Sequence, residues 1–269
     1  MRFLVLPLIA PLLVLSGCSE VPVTGRRQLS LVSGQEMQAL SLKEYDAFLK
    51  SNKVSRDAAA TAQVRRVGIR IQKAVEAYFQ ERGMASRLAG YQWEFNLVED
   101  PQVNAWCMPG GKVVVYTGLL PVAQNDDGLA VVMGHEIAHA IAEHGAERMS
   151  TALVAQAGGT ALSVALQEKP NETRALWMSV YAVGAQYGAM LPYSRLHEKE
   201  ADRMGLIFMA MAGYDPNQAV TFWQRMAATK SGSVPVFMST HPSDAQRIDN
   251  LRANLPEALS FRRPAPVSR

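Results

Sequence analysis

Residues 131–144 read VVMGHEIAHAIAEH, and no other stretch constrains the chain as tightly. Apolar residues flank His135, Glu136 and His139 on both sides, so a helix here carries polar groups into a dry wall. Residues four apart share a helix face, so the two imidazoles can offer ring nitrogens to one ion at about 2.0–2.1 Å. Glu136 lies one residue round, beside such an ion but not on it. That is the place of a base acting on a metal-bound water, whose pKa zinc lowers toward about 7. With only 5 histidines in 269 residues, the spacing seldom arises by chance.

Two ligands do not complete a catalytic zinc site, which needs a third protein ligand and an open fourth position. Ala142 and Gly145 stand where a metzincin pattern would place Gly and His, so the third ligand comes from farther along the chain. The segment SRLHEKEAD (194–202) offers Glu198 and Asp202, again four apart on one helix face. In that arrangement Glu198 binds the ion, and Asp202, one turn on, accepts a hydrogen bond from a ligand histidine. Glu200 is the alternative third ligand, because helix phase alone does not exclude it. A solvated, charged helix start is the competing structural reading.

The ends of the chain suggest a destination. Residues 1–17 carry one charge at Arg2, then an apolar run from Phe3 to Leu15, the pattern of a signal peptide too short to span a bilayer comfortably. Leu15-Ser16-Gly17-Cys18 resembles the bacterial lipoprotein box, in which Cys18 is lipidated. Ser19 in place of Asp then implies anchoring at the outer membrane, facing the periplasm. Residues 18–32 read as an extended, lipidated tether, 33–255 as one domain and 256–269 as a disordered tail. With Cys18 acylated, Cys107 is the one free thiol and no disulfide is available. A net charge of +3 gives no reason to expect nucleic acid as a partner.

Ser33 with Glu36 forms a capping box ahead of a first helix, and Val64, Val67, Ile71, Val75 and Tyr78 recur at helical spacing in a second. Alternation over 91–100 and the β-branched run at 112–118 predict a hairpin or a small sheet. Helices are expected at about 127–148, twice within 149–194, at about 195–212, at 216–229 with Asp215 as N-cap, and at 242–254. The stretches 149–167 and 175–194 lack Asp, Glu, Lys and Arg. Their Ala, Gly and Ser content favours a buried or membrane-grazing helical hairpin over two spans.

HEIAH followed by SRLHEKEAD resembles the M48 family of zinc metallopeptidases. VNAWCMPGGKVVVYTGLL (103–120) and STHPSDAQRI (239–248) match further segments of that family, and the PVTGRRQLSLV leader is similar to its periplasmic lipoprotein branch. The resemblance covers residues 21–255. It implies an α+β, mostly helical, gluzincin-like fold with an active-site helix and a small β-sheet. It also implies one zinc per chain on His135, His139 and Glu198, with Glu136 as base and Asp202 behind the ligands. Substrate main chain is expected along a sheet edge at 112–117, shaped by Asn104, Pro109, Gly110, Gly111 and Val114. A plain glycine-rich hairpin turn is the alternative there. Tyr193, Arg195 and His241 are candidates for stabilising an oxyanion, and His241 could instead occupy the open zinc position. His144 and His197 read as polar residues flanking the site.

The expected function is a zinc endopeptidase acting on polypeptides, specifically misfolded or stalled envelope proteins, with a lipid anchor to the membrane. A non-enzymatic chaperone or binding module on the same scaffold is the alternative, and a zinc exopeptidase a third reading.

Overall fold

Five apolar positions at helical spacing become the buried face of the longest helix. In a computed structural model that describes residues 18–167, 171–186, 191–228, 236–241 and 246–263, α1 spans Gly34–Ser51 and α2 spans Ala58–Glu81. The expected capping box closes α1: the Ser33 hydroxyl accepts from Glu36 N, and the Glu36 carboxylate accepts from Ser33 N. Val64, Val67, Ile71, Val75 and Tyr78 of α2 are all buried in the main core. Residues 1–17, the expected signal peptide, lie outside the described residues.

The strands β3 (Glu94–Val98), β4 (Ala105–Met108) and β5 (Lys112–Tyr116) form one sheet in the order β3-β5-β4. β5 runs parallel to β3 and antiparallel to β4. The expectation that 112–117 offers a free edge is therefore corrected. Val114 pairs with Asn96 on one side and Trp106 on the other and is fully buried. β3 and β4 are the edge strands, and it is β4 that lies against the helix bearing HEIAH.

A short helix α3 (Leu120–Ala123) leads to α4 (Asp126–Ile141), whose N-cap Asn125 accepts from Gly128 N. α4 is buried from Gly128 to Ile141. The expected single helix to residue 148 is broken: Glu143 adopts φ 58°, ψ 30°, the left-handed region, and α5 (His144–Ala165) starts in a new direction. α6 (Asn171–Ala185) returns along α5 to form the expected hairpin. Its apolar residues are not buried, however: Leu153, Val154, Val164, Leu176, Trp177 and Val180 face outward. Among the described residues no helix is long and apolar enough to cross a membrane.

Helix α7 (Leu191–Met211) packs across α4. The crossing is between glycines: a Cβ on Gly134 would meet the Gly205 carbonyl oxygen at 3.0 Å, and one on Gly205 would meet His135 N at 2.9 Å. With no side chains between them the two backbones touch, and the polar faces of α4 and α7 are forced together. α8 (Gln218–Ala228), α9 (Val236–Thr240) and α10 (Arg247–Ser260) complete the fold. α8 starts two residues later than the sequence suggests, because the Asp215 carboxylate accepts from Asn217 N in a local turn.

The two ends of the chain also depart from expectation. Residues 18–32 do not form an extended tether. β1 (Cys18–Glu20) and β2 (Arg27–Leu29) pair antiparallel, Val21 joins the core, and Arg26 forms ion pairs with Glu147 and Glu200. At the other end α10 continues past residue 255 to Ser260, because Ala258 is buried and Phe261 packs on the core. Residues 264–269 of the expected tail lie outside the described residues.

Candidate metal centre

Helix geometry brings together the residues that spacing alone suggested. His135 and His139 on α4 meet Glu198 on α7, and His241, following α9, closes the group; one ligating atom from each lies within 4.8 Å of all the others. His139 Nε2 is 3.1 Å from His135 Nε2, and Glu198 oxygens are 3.3 Å from His135 Nε2 and 3.4 Å from His139 Nε2. A regular tetrahedron with bonds of about 2.0–2.1 Å has edges of roughly 3.3 Å, so the two ring nitrogens and the Glu198 carboxylate have the spacing of a face around one zinc ion. His241 Nδ1, 3.3 Å from His135 Nε2 and 3.0 Å from Glu198 Oε1, stands at the fourth vertex.

The surroundings suit a cation. Two ring nitrogens facing each other at 3.1 Å need a hydrogen or a metal ion between them. Burial opposes charge on His135, yet its hydrogen bonds to Asp202 and Glu198 outweigh that and raise its pKa to about 9. A proton and a divalent ion compete for such a place. Burial drops His139 to about 3, so it stays a neutral ligand. Glu198 is held well below the usual carboxylate range despite its burial, because His135, His139 and His241 all reach it.

Beside the ligands, Glu136 is buried, and burial pushes its carboxyl upward. Its Oε1 has no hydrogen-bond partner among the described residues, with His241 Nε2 at 3.4 Å. Asp202 is where the sequence placed it: His135 Nδ1 donates to its Oδ1 at 2.9 Å. Glu200, the alternative ligand, is excluded from the group. It points the other way, accepting from Arg26 and Thr24 and facing His144.

Several participants escaped the sequence reading. Arg247, within the quoted 239–248 segment, is buried; it donates to Asp202 Oδ1 at 2.7 Å and to Glu198 Oε2 at 3.4 Å, with its guanidinium 3.3 Å over the Trp223 ring. His144 and His197, expected as polar residues flanking the site, are fully buried beside it. All 5 histidines of the chain lie in one series of ring contacts running 197–144–139–135, with His241 against both His139 and His135.

Some expected site residues lie elsewhere or carry less. Pro109, Gly110 and Gly111 make the β4–β5 turn. Gly110 and Gly111 have φ near 90° and 84°, and a Cβ on Gly111 would strike the Trp93 ring at 2.7 Å. That geometry accounts for the glycines without a ligand. Asn104 caps the start of β4, its side-chain oxygen accepting from Ala105 N. Arg195 is exposed near the start of α7, and the Tyr193 side chain lies outside the described residues. Cys18 is exposed at the head of β1.

Comparison with known proteins agrees with this geometry. The model of peptidase family M48 matches residues 68–255. The chain is 38% identical over 175 residues to the mitochondrial metalloendopeptidase OMA1 of Schizosaccharomyces pombe, covering 64% of this chain and 50% of that protein. The mitochondrial metalloendopeptidase OMA1 of Bos taurus is 33% identical over 250 residues, covering 90% of this chain and 46% of its own. The beta-barrel assembly-enhancing protease of Escherichia coli matches less well, at 29% over 166 residues, 60% of this chain and 34% of its own. The chain spans about half the length of the mitochondrial relatives it matches. The expected lipid-anchored, outer-membrane location is overturned here, because the better-matching relatives are mitochondrial and the bacterial ones are weaker. A lipobox-like tetrapeptide is too short a signal to outweigh similarity over most of the chain. On the extent of the family match and on the group formed by His135, His139 and Glu198, the chain belongs to peptidase family M48.

Proposed function

We propose that this chain is a zinc-dependent endopeptidase that cleaves unfolded polypeptide segments. One observation carries the reading: His135, His139 and Glu198 present ligand atoms at tetrahedral spacing, with the Glu136 carboxylate beside them and one oxygen unbonded. Those three residues would hold the ion. Bound zinc would supply a Lewis acid that lowers the pKa of water toward about 7 and polarises a carbonyl.

The chain's own residues would do the rest. Glu136, its carboxyl raised by burial, is suited to take a proton on Oε1 and return it to the leaving amine. Asp202 holds the Nδ1 proton of His135, which leaves Nε2 free to ligate, and Arg247 compensates the charge of Asp202 and Glu198. His241 is the proposed oxyanion donor; reaching a substrate oxygen requires it to give up the fourth vertex it now fills. An extended substrate would add to the outer edge of β4, whose Cys107 lies close enough to Glu136 for that carboxylate to raise its thiol further, after burial. Backbone pairing of this kind favours unfolded chains over particular sequences.

The test compares wild type with Glu136→Gln on casein, mapping the fragments. Internal cuts by wild type and a loss of about 10²–10⁴-fold in the variant are expected, with zinc content unchanged. Equal clearance by both proteins would favour a chaperone or binding module, and trimming from the ends alone would favour an exopeptidase.

A further inference from the structure

The two ligand histidines are braced in different ways. His135 meets a carboxylate directly, but His139 meets another imidazole: its Nδ1 is 2.8 Å from His144 Nδ1. His144 Nε2 lies 3.2 Å from Glu200 Oε2, and Glu200 also accepts from Arg26 Nε at 2.8 Å and from the Thr24 hydroxyl. Arg26 then reaches a second carboxylate, donating from Nη1 and Nη2 to Glu147 at 2.8 and 2.6 Å. Glu147 accepts from His197 Nε2 at 2.7 Å, and the His197 ring stacks on His144 with centroids 4.1 Å apart. His144, Glu147, His197 and Glu200 are all buried.

One assignment of protons satisfies the links from His139 to Glu200. A histidine that ligates through Nε2 carries its hydrogen on Nδ1. His139 then donates to His144 Nδ1, and His144 donates from Nε2 to an ionised Glu200. Arg26 is the cation that lets Glu147 and Glu200 both remain charged while buried.

Two features of the chain bring these groups together. Five residues along an unbroken helix, His144 would lie about 140° round from His139, on a different face. The left-handed residue Glu143 removes that constraint and turns the His144 ring onto His139. The β1–β2 hairpin supplies Thr24 and Arg26 from its turn, more than 170 positions from Glu200 in sequence.

Resting on the metal-site reading above, we propose that His144, Glu200 and Arg26 form an outer relay that positions His139 for the metal, which makes the N-terminal hairpin a structural part of the metal centre. These are positioning residues; none touches substrate. The imidazole of His144 is a spacer that extends the reach of Glu200 to a ligand it could not contact itself.

The test measures zinc affinity by chelator competition, and the visible spectrum of the cobalt-substituted protein, in the full chain. Variants are His144→Ala, His144→Gln, Glu200→Gln and Arg26→Gln, with thermal melting to establish folding. His144→Ala and Glu200→Gln are expected to weaken zinc binding about 10–100-fold and to shift the cobalt bands. Arg26→Gln should weaken binding by less. His144→Gln, which can still accept from His139 and donate to Glu200, should recover part of the loss. Glu200→Gln is nearly isosteric and keeps the test open if His144→Ala fails to fold. Wild-type affinity and an unchanged cobalt spectrum in folded His144→Ala or Glu200→Gln would overturn the relay while leaving the metal site standing. Failure of the wild-type chain itself to bind zinc would remove the metal-site reading and the relay with it.

Discussion

Helix α4 carries two histidines and a glutamate on its inner face and is buried from Gly128 to Ile141. The α5–α6 hairpin has no charged residue between 149 and 167, yet Leu153 is 45% and Trp177 52% exposed. What separates them is the partner surface. α4 has Gly205 of α7 pressed against Gly134, and its two histidines meet fixed carboxylates on α7, Asp202 and Glu198. A buried polar group is tolerated when it is paired. Beyond Ser150 the hairpin offers mainly Ala, Gly, Ser and Thr with scattered aliphatics, whose burial would gain only about 25 cal/mol per Å² over little area. Gly158 and Gly159 let Tyr181 close the two helices on each other, with the Tyr181 hydroxyl donating to the Ala155 carbonyl.

That contrast can be broken at either end. The largest effect is expected at the helix crossing. Gly205→Val puts a branched side chain against His135 N, so α4 and α7 must separate. Urea unfolding should show a loss of about 1–3 kcal/mol, and bound zinc should fall because Glu198 moves away from His135. Retention of both stability and zinc would mean that the glycine contact does not set the ligand spacing. The smallest effect is expected on the hairpin. Trp177→Ser, at a half-exposed position, should change unfolding stability by no more than about 0.5 kcal/mol and leave zinc content alone. A loss as large as that of Gly205→Val would show the hairpin to be as integral as α4.

What the sequence revealed follows from helix period. His135 with His139, and Glu198 with Asp202, are four-residue pairs, and four residues fix a face whatever the tertiary context. The capping box at Ser33 and the apolar face of α2 are local in the same sense. The order of strands is not local: the β-branched run marks β5 as a strand but does not say that β3 and β4 flank it, so Val114 reads as an edge position in the sequence and is central in the sheet. The inner role of His144 depends on a single left-handed residue, Glu143, of a type that rarely adopts that conformation. Arg26 reads as part of a tether because nothing near it in sequence reveals the buried Glu147 and Glu200 it pairs with. Arg247 lay within a segment already tied to the family, so the position was visible and its partners were not.

The central claim is that distant helices converge on one zinc ion held by His135, His139 and Glu198. Metal analysis of the purified wild-type chain beside Glu198→Ala tests it directly. One zinc per wild-type chain is expected, and less than about a tenth of that in the variant under the same chelator wash, since removing a ligand costs more than the roughly 10–100-fold lost when a group behind a ligand is removed. Stoichiometric zinc in Glu198→Ala, or none in wild type, would contradict it.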